Sequence, residues 1–271
     1  MRQQPRGDNR GILDPGRLLR QVHFRRHLPA EALRRHVEHY WLIDWDLTEP
    51  FAQHVVPHPA VNVVFQRHGD APEAGEVSGV GLELFSITLS GTGRVCGVQF
   101  RPGGFRPFWR RSVAELTGHR RPFADLAASW PPAAVHSGNI CDGTDAQRCH
   151  ALDDLLAGWA PEADPVTDEV IRLVEEIRTD RAVLRVDAFA RRHGLSTRRL
   201  QRLFLDRVGV GPKWVIRRYR LQEAIEQAAT GPPPDWARLA ADLGYSDQAH
   251  LVREFSAVTG TSPAAYARSL G

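Results

Sequence analysis

The chain has 271 residues, of which 42% are hydrophobic and 25% charged, with a formal net charge of +3 and three cysteines. That length suffices for two modest domains, each burying its own core without a metal, a cofactor or disulfides. There is no run of 18 apolar residues to span a membrane, and the basic first 30 residues lack the apolar core and cleavage site of a secretory leader, so a cytoplasmic protein without membrane partners is expected.

A helical pattern opens after Pro29 in PAEALRRHVEHYW. From about Tyr40 to Arg101 the composition turns to β-branched and aromatic residues, with strands expected at HVVPHPAVNVVFQ, LELFSITLS and RVCGVQFR between Gly, Pro and Asp punctuation. A second helix, FRPFWRRSVAEL, follows the Pro102-Gly103-Gly104 turn. After Trp130-Pro131-Pro132 the chain reads as helix and loop, and the run from Ala160 to Pro165 (APEADP) reads as a linker. The expected organisation is α+β. It comprises a β-rich domain with flanking helices over 1–160 and an all-helical domain over 161–271.

Little in the first domain carries chemistry. His54 and His58 have no third ligand at metal-site spacing, and a pair of loop or strand-edge histidines is the plainer reading. The glycine pairs Gly79/Gly81 and Gly91/Gly93 do not open a helix after a strand, which a phosphate cradle requires, and Ser90-Gly91-Thr92-Gly93 is a turn rather than a nucleophile elbow. Cys96, Cys141 and Cys149 are odd in number and match neither a disulfide framework nor paired C-x-x-C zinc spacing, so reduced structural thiols are expected. Of the aromatic residues, Trp41, Trp45, Phe65 and Phe85 are candidates for an effector pocket, as are Phe105, Phe108 and Trp109. A plain core accounts for the same residues.

In the second domain Val170, Ile171, Val174 and Ile177 recur at helical spacing in VTDEVIRLVEEIR, one buried stripe that should pack under the next helical unit. Charge is distributed unevenly. Arg181 to Gly271 holds 15 Lys+Arg against 8 Asp+Glu, a balance of +7, whereas the remainder holds 20 against 24. Between Arg185 and Arg220 there are 11 basic residues and only Asp187 and Asp206 to oppose them, the footprint of a polyanion partner or else a solvated arginine-rich face.

The same region repeats itself. Ala190, Gly194, Ser196, Leu200, Arg202, Phe204, Gly209 and Pro212 correspond to Ala240, Gly244, Ser246, Leu251, Arg253, Phe255, Gly260 and Pro263, the offset being 50 for the first three pairs and 51 for the rest. Each copy has the parts of a helix-turn-helix. A short helix (VDAFARRHG, WARLAADLG) ends at a glycine suited to a left-handed cap, its small Ala190 or Ala240 allows a close crossing, and Ser196 or Asp247 offers an N-cap oxygen to the next helix. With Arg198 at zero, Leu200, Leu203 and Phe204 lie at about 200°, 140° and 240°, and Arg198, Gln201 and Arg202 fall on the opposite side. In the second copy Leu251, Phe255 and Val258 turn inward, while Ala249, His250 and Arg253 turn outward beside the helix-opening Gln248. An Arg/Gln/Arg face suits a major groove, where arginine bonds guanine and glutamine bonds adenine bidentately. Between the copies PKWVIRRYRLQEAIEQAA has no breaker, and its 18 helical residues would span roughly 27 Å. With the flanking units, that length suits recognition helices about one DNA turn apart, roughly 34 Å. The stripes are served by helices within the region, so a fragment from about Asp164 should fold and bind DNA alone.

From about Val166 to Leu270, through GLSTRRLQRLF, GVGPKWVIRRYRLQEA, ADLGYSDQAHLVREF and GTSPAAYARSL, the chain resembles the DNA-binding domain of the AraC/XylS family. The resemblance implies double-stranded DNA as partner, a role in transcription regulation without enzymatic activity, and base contacts from Arg198, Gln201, Arg202, Gln248, Ala249, His250 and Arg253. Three departures stand out in the second unit. Ala249 offers only a methyl group, Val252 is apolar, and Leu251 stands where an aromatic is common, which points that unit toward phosphate contact. The Gly231-Pro232-Pro233-Pro234 run is a fourth departure, rigid enough to set the angle between the units. More loosely, Tyr40-Trp41, PHPAVNVVF and VCGVQFRPGG resemble a domain often found in front of this module. It implies a small-molecule effector, homodimer formation or both, and contact with RNA polymerase is a further expectation for such a regulator. The competing class is an enzyme carrying the module, such as a cysteine-based DNA-repair methyl acceptor. That needs a zinc-activated thiolate cluster, which the three cysteines do not supply. A third reading, an adaptor that has lost DNA binding, would require the basic excess to lie away from the outward faces.

Overall fold

The computed structural model describes residues 11–127, 139–159, 163–229 and 234–270. Its N-terminal part is a six-stranded antiparallel sheet ordered β1-β2-β5-β3-β4-β6. The strands are β1 (His23–His27), β2 (Val37–Val55), β3 (Asn62–His68), β4 (Ala74–Ser78), β5 (Phe85–Phe100) and β6 (Arg120–Pro122). Because side chains alternate across a strand, each face collects its own apolar set. One face gathers Tyr40, Leu42, Val63, Phe65, Val98 and Phe100 under helix α4 (Asp145–Trp159). The other gathers Trp45, Phe51, Val64, Leu89 and Val95, with Leu18 of α1 (Pro15–Gln21).

The structure departs from the sequence reading in four places. No helix covers PAEALRRHVEHYW; a 3-10 turn at Glu31–Leu33 leads into β2. The cause is a register shift between Val37 and His39, which puts Val37 and Tyr40 on one buried face at a spacing of three and so imitates helical periodicity. The stretch HVVPHPAVNVVFQ is broken between Val55 and Asn62, where Pro57 and Pro59 cannot donate to a ladder. LELFSITLS and RVCGVQFR largely merge into the single strand β5, which runs through Gly91 and Gly93. FRPFWRRSVAEL is interrupted at Arg110, whose φ of 57° ends α2 (Arg106–Trp109) before a 3-10 turn at Val113–Leu116. A short helix α3 (Phe123–Ala127) follows β6. Residues 160–162 of the APEADP linker, with the boundary placed there, and residues 231–233 of the Gly231–Pro234 run lie outside the described residues.

The C-terminal part is all helical: α5 (Pro165–Thr179), α6 (Val186–Arg192), α7 (Thr197–Arg207), α8 (Pro212–Ala229), α9 (Trp236–Asp242), α10 (Gln248–Thr259) and α11 (Pro263–Leu270). It has two cores. Val170, Leu173, Val174 and Ile177 of α5 pack with Phe189, Leu200 and Phe204 in the first, while Leu239, Leu251, Phe255 and Tyr266 form the second. Helix α8 supplies both, giving Val215, Ile216 and Tyr219 to the first core and Leu221, Ala224, Ile225 and Ala228 to the second. Arg220, buried under α5, donates to the carbonyls of Ile177 at 3.0 Å and Asp180 at 2.6 Å, satisfying acceptors that a helix end leaves without partners.

Neither core is closed by C-terminal helices alone. Val80, from the segment between β4 and β5, is wholly buried in the first, and Val56, Leu13 and Leu84 pack into the second. Polar contacts reinforce the docking, with the Thr117 hydroxyl donating to the Gly209 carbonyl at 2.7 Å, Arg106 pairing with Asp206 at 3.3 Å, and Arg35 pairing with Asp168. At Gly79 an added β-carbon would lie 1.8 Å from the Leu116 carbonyl oxygen, so only glycine allows this close approach.

Candidate nucleic-acid interface

Two turns set the recognition helices. Helix α6 gives way at Gly194 (φ 65°) and α9 at Gly244 (φ 76°), and the Ala190 and Ala240 side chains are buried where the next helix crosses. The Ser196 hydroxyl accepts from the Arg199 amide at 3.2 Å, and the Asp247 carboxylate accepts from the His250 amide at 2.7 Å. Both are N-caps, and the bond from His250 holds the Asp247 carboxyl below its ordinary range.

With the helices so capped, Leu200 and Phe204 of α7 and Leu251 and Phe255 of α10 are buried. Arg198, Gln201 and Arg202 are exposed on the other side of α7, and Gln248, Ala249 and Arg253 are exposed on α10. The N-terminal domain meets α7 on its buried side, through Val80, and near its far end, through Asp206 and the following Gly209, and it leaves the Arg198/Gln201/Arg202 face open. His250 is more confined. Its Nδ1 lies 3.2 Å from the Ser246 hydroxyl, its Nε2 lies 3.8 Å from Glu254, and Tyr245 meets its ring edge-on at 5.2 Å.

Charge pairing sorts the arginines. Arg185 and Arg191 pair with Asp187, Arg192 with Glu176 and Asp180, and Arg217 with Glu254. Among the described residues Arg198, Arg199, Arg202, Lys213 and Arg253 form no ion pair. Arg172, Arg218 and Arg268 also form none, but only the first five cluster on the outward faces of the recognition helices and at the start of α8, where a polyanion can reach them. Arg199 and Lys213 were not singled out from the sequence. Their signal is the lack of a partner, which depends on tertiary structure.

Of the seven candidate pocket aromatics, Phe105, Phe108 and Trp109 lie in the sheet core, and Trp41, Trp45, Phe65 and Phe85 do not converge. Trp41 lies across Gly97 and Trp45 across Gly93, where an added β-carbon would come within 2.0 and 2.1 Å of the rings. Phe65 is on the opposite face of the sheet, edge-on to Phe123 at 4.9 Å, and Phe85 starts β5 beneath Arg120. Of the four, Trp45 alone borders a cleft of about 670 Å³, together with Asp44, Arg67, Arg94 and Arg148. His54 bonds the Ser86 hydroxyl at 2.7 Å, and all three cysteines are buried thiols outside any disulfide.

Residues 189–269 match a family described as a helix-turn-helix domain. The C-terminal region is a helix-turn-helix domain. This domain makes the chain a DNA-binding transcription regulator. Residues 25–122 match a domain of unknown function, DUF6597. Among solved structures, the C-terminal domain of AraT, a response regulator from Geobacillus stearothermophilus, is 23% identical over 39% of this chain and 86% of that one, with a TM-score of 0.34. ToxT from Vibrio cholerae is 12% identical over 85% and 97%, with a TM-score of 0.43. A form of ToxT bound to an unsaturated fatty acid is 12% identical over 84% and 94%, with a TM-score of 0.41. No curated protein matches the chain. No helix among the described residues is long and apolar enough to cross a membrane.

Proposed function

We propose that the regulator reads operator sequence chiefly through α7, by Arg198, Gln201 and Arg202, and grips the neighbouring groove through α10, by Gln248, Ala249, His250 and Arg253. The observation that carries this reading is the contrast in pairing. The flanking arginines Arg185, Arg191, Arg192 and Arg217 have carboxylate partners, whereas Arg198, Arg202 and Arg253 have none and are exposed. On α10 the partners on offer are weaker, since Ala249 presents a methyl group and His250 is tied to Ser246. In the same reading residues 1–160 form the regulatory domain, taking a small-molecule effector, dimerising or both, and the protein works in the cytoplasm with RNA polymerase. The cleft beside Trp45, with Arg94 half exposed at its edge, is the place in that domain best suited to an effector. No catalytic role is assigned. The hydrogen bond with Cys96, together with burial, keeps the Cys141 thiol well above its usual range, the opposite of an activated nucleophile.

The test compares Arg202→Ala with Arg253→Ala against single-base variants of a selected operator at one salt concentration. Arg202→Ala should cost roughly 1 to 3 kcal/mol and relax preference at one or two positions, while Arg253→Ala should weaken all variants alike. The reverse pattern would exchange the roles of the two helices.

A further inference from the structure

A cavity of about 600 Å³ lies where the two domains meet, lined by Leu82 of the N-terminal domain, Trp214, Arg217, Arg218 and Leu221 of α8, and Val258 of α10. Arg218 is only 5% exposed. Its Nη2 donates to the Leu82 carbonyl at 3.2 Å, its Nη1 has no partner, and the Trp214 ring lies 4.4 Å from its guanidinium carbon. Among the described residues no carboxylate pairs with it directly; Glu254 in the same cavity acts on it only at longer range and is engaged by Arg217 at 3.0 and 2.6 Å. Burial pulls the Arg218 pKa down to about 10. One turn further along α8, Gln222 is 1% exposed and both of its amide atoms lack partners. A buried charge without a paired counterion is expensive, and an anionic partner that the chain itself does not supply relieves it; Gln222 lies behind the cavity wall and adds to the polar character of this stretch of α8. With Lys213 at the rim, the cavity holds three cations against one carboxylate, between walls that are otherwise apolar.

We propose that this cavity binds a small amphiphilic monoanion, an aromatic or short alkyl carboxylate whose head pairs with Arg218 and whose body packs against Leu82, Trp214, Leu221 and Val258. The size lies within the usual range for small-molecule sites, and a planar carboxylate matches the guanidinium fork. The occupant would touch the N-terminal domain, the connecting helix and the second recognition helix at once, and so would stiffen the DNA-binding arrangement. That regulatory consequence rests on the reading of the chain as an effector-modulated regulator; the binding does not, and it is tested without DNA.

The experiment is calorimetric titration and thermal denaturation of the full chain with sodium benzoate and sodium octanoate, with benzyl alcohol and sodium sulfate as controls. Expected are saturable binding of at least one carboxylate with a rise in Tm, and at least tenfold weaker binding of the alcohol and of sulfate. Arg218→Met should abolish the response and also raise the ligand-free Tm, since it removes an uncompensated buried charge. A residue serving only structure would lower it. Ala257→Trp, at an exposed position on the cavity wall, should block binding with Arg218 intact, and it decides the matter if Arg218→Met does not fold. Absence of saturable binding by both carboxylates, equal binding of sulfate or benzyl alcohol, or unchanged binding in the variants would overturn the proposal.

Discussion

Replacing Val80 with alanine tests whether the N-terminal domain completes the core of the first DNA-binding unit. Val80 belongs by sequence to the sheet domain, yet it is wholly buried among α5, α7 and α8 residues. The change removes two methyl groups, worth about 0.8 kcal/mol each in transfer, and leaves a cavity in a site held from two sides, so a loss of about 2 kcal/mol is expected. For a chain of this size that lowers Tm by roughly 4 to 8 °C. Val77→Ala is the matched control, since Val77 lies three residues earlier, is equally buried, and packs in the sheet core with Phe65 and Leu126. Hydrogen exchange locates the damage. In Val80→Ala the amides of α7 and α8 should exchange about 30-fold faster, whereas in Val77→Ala the acceleration should be confined to the sheet. If Val80→Ala instead loosens only β4 and β5, the shared core does not exist in solution and the C-terminal fragment folds unaided.

Ser196→Ala removes the cap of α7 and should cost about 1 kcal/mol in chemical denaturation. Asp247→Ala should lower the midpoint in the same direction, and because the carboxyl is held below its unfolded value, the contribution of its charge is present above about pH 4 and lost as pH falls through the folded value. Burial disfavours the charged forms of His36 and His39, taking His39 down to about 3. Below pH 6.5 the unfolded chain therefore binds protons that the folded chain refuses, and stability should fall with pH by up to about 1.4 kcal/mol per unit for each histidine. Denaturation midpoints that stay flat from pH 7 to 5 would contradict this, and His39→Asn should reduce the slope. Affinity for duplex DNA should decline with a log-log salt slope of about −0.9 per phosphate neutralised, and Arg199→Ala or Lys213→Ala should each remove about one such contact. A wild-type slope near zero would remove the electrostatic basis of the interface.

The DNA-binding architecture was legible because its signals are local. A glycine where the short helix ends, a capping oxygen, and an apolar stripe four residues long lie within one turn of each other, so Gly194, Ser196 and Leu200 announce their roles without tertiary context. The 18 residues of α8 are those the breakers delimit, Pro212 at one end and the glycine-proline run beyond the other. The sheet was harder to read. HFRRH in β1 and AGEVS in β4 have no apolar alternation, and their pairing is imposed by neighbours. A bulge at Val37 disguised a strand as a helix. The membership of Val80 in the first C-terminal core and the burial of Arg218 against Leu82 join segments far apart in the chain, and the pairs of Arg192 with Glu176 and Arg217 with Glu254 also cross between helices, which no local window contains.

Because one continuous helix feeds both cores, the geometry between the two DNA-reading units is a matter of helical phase. Each residue added to α8 would rotate the second unit by about 100° and advance it by about 1.5 Å, turning α10 away from the duplex rather than merely further along it. Small changes in the length of α8 are thus not small in effect, and only insertions near whole turns keep both readers on one side of DNA. Operator spacing for this regulator is therefore expected to be fixed in steps, with the loops around α8 free to drift while the helix itself keeps its count.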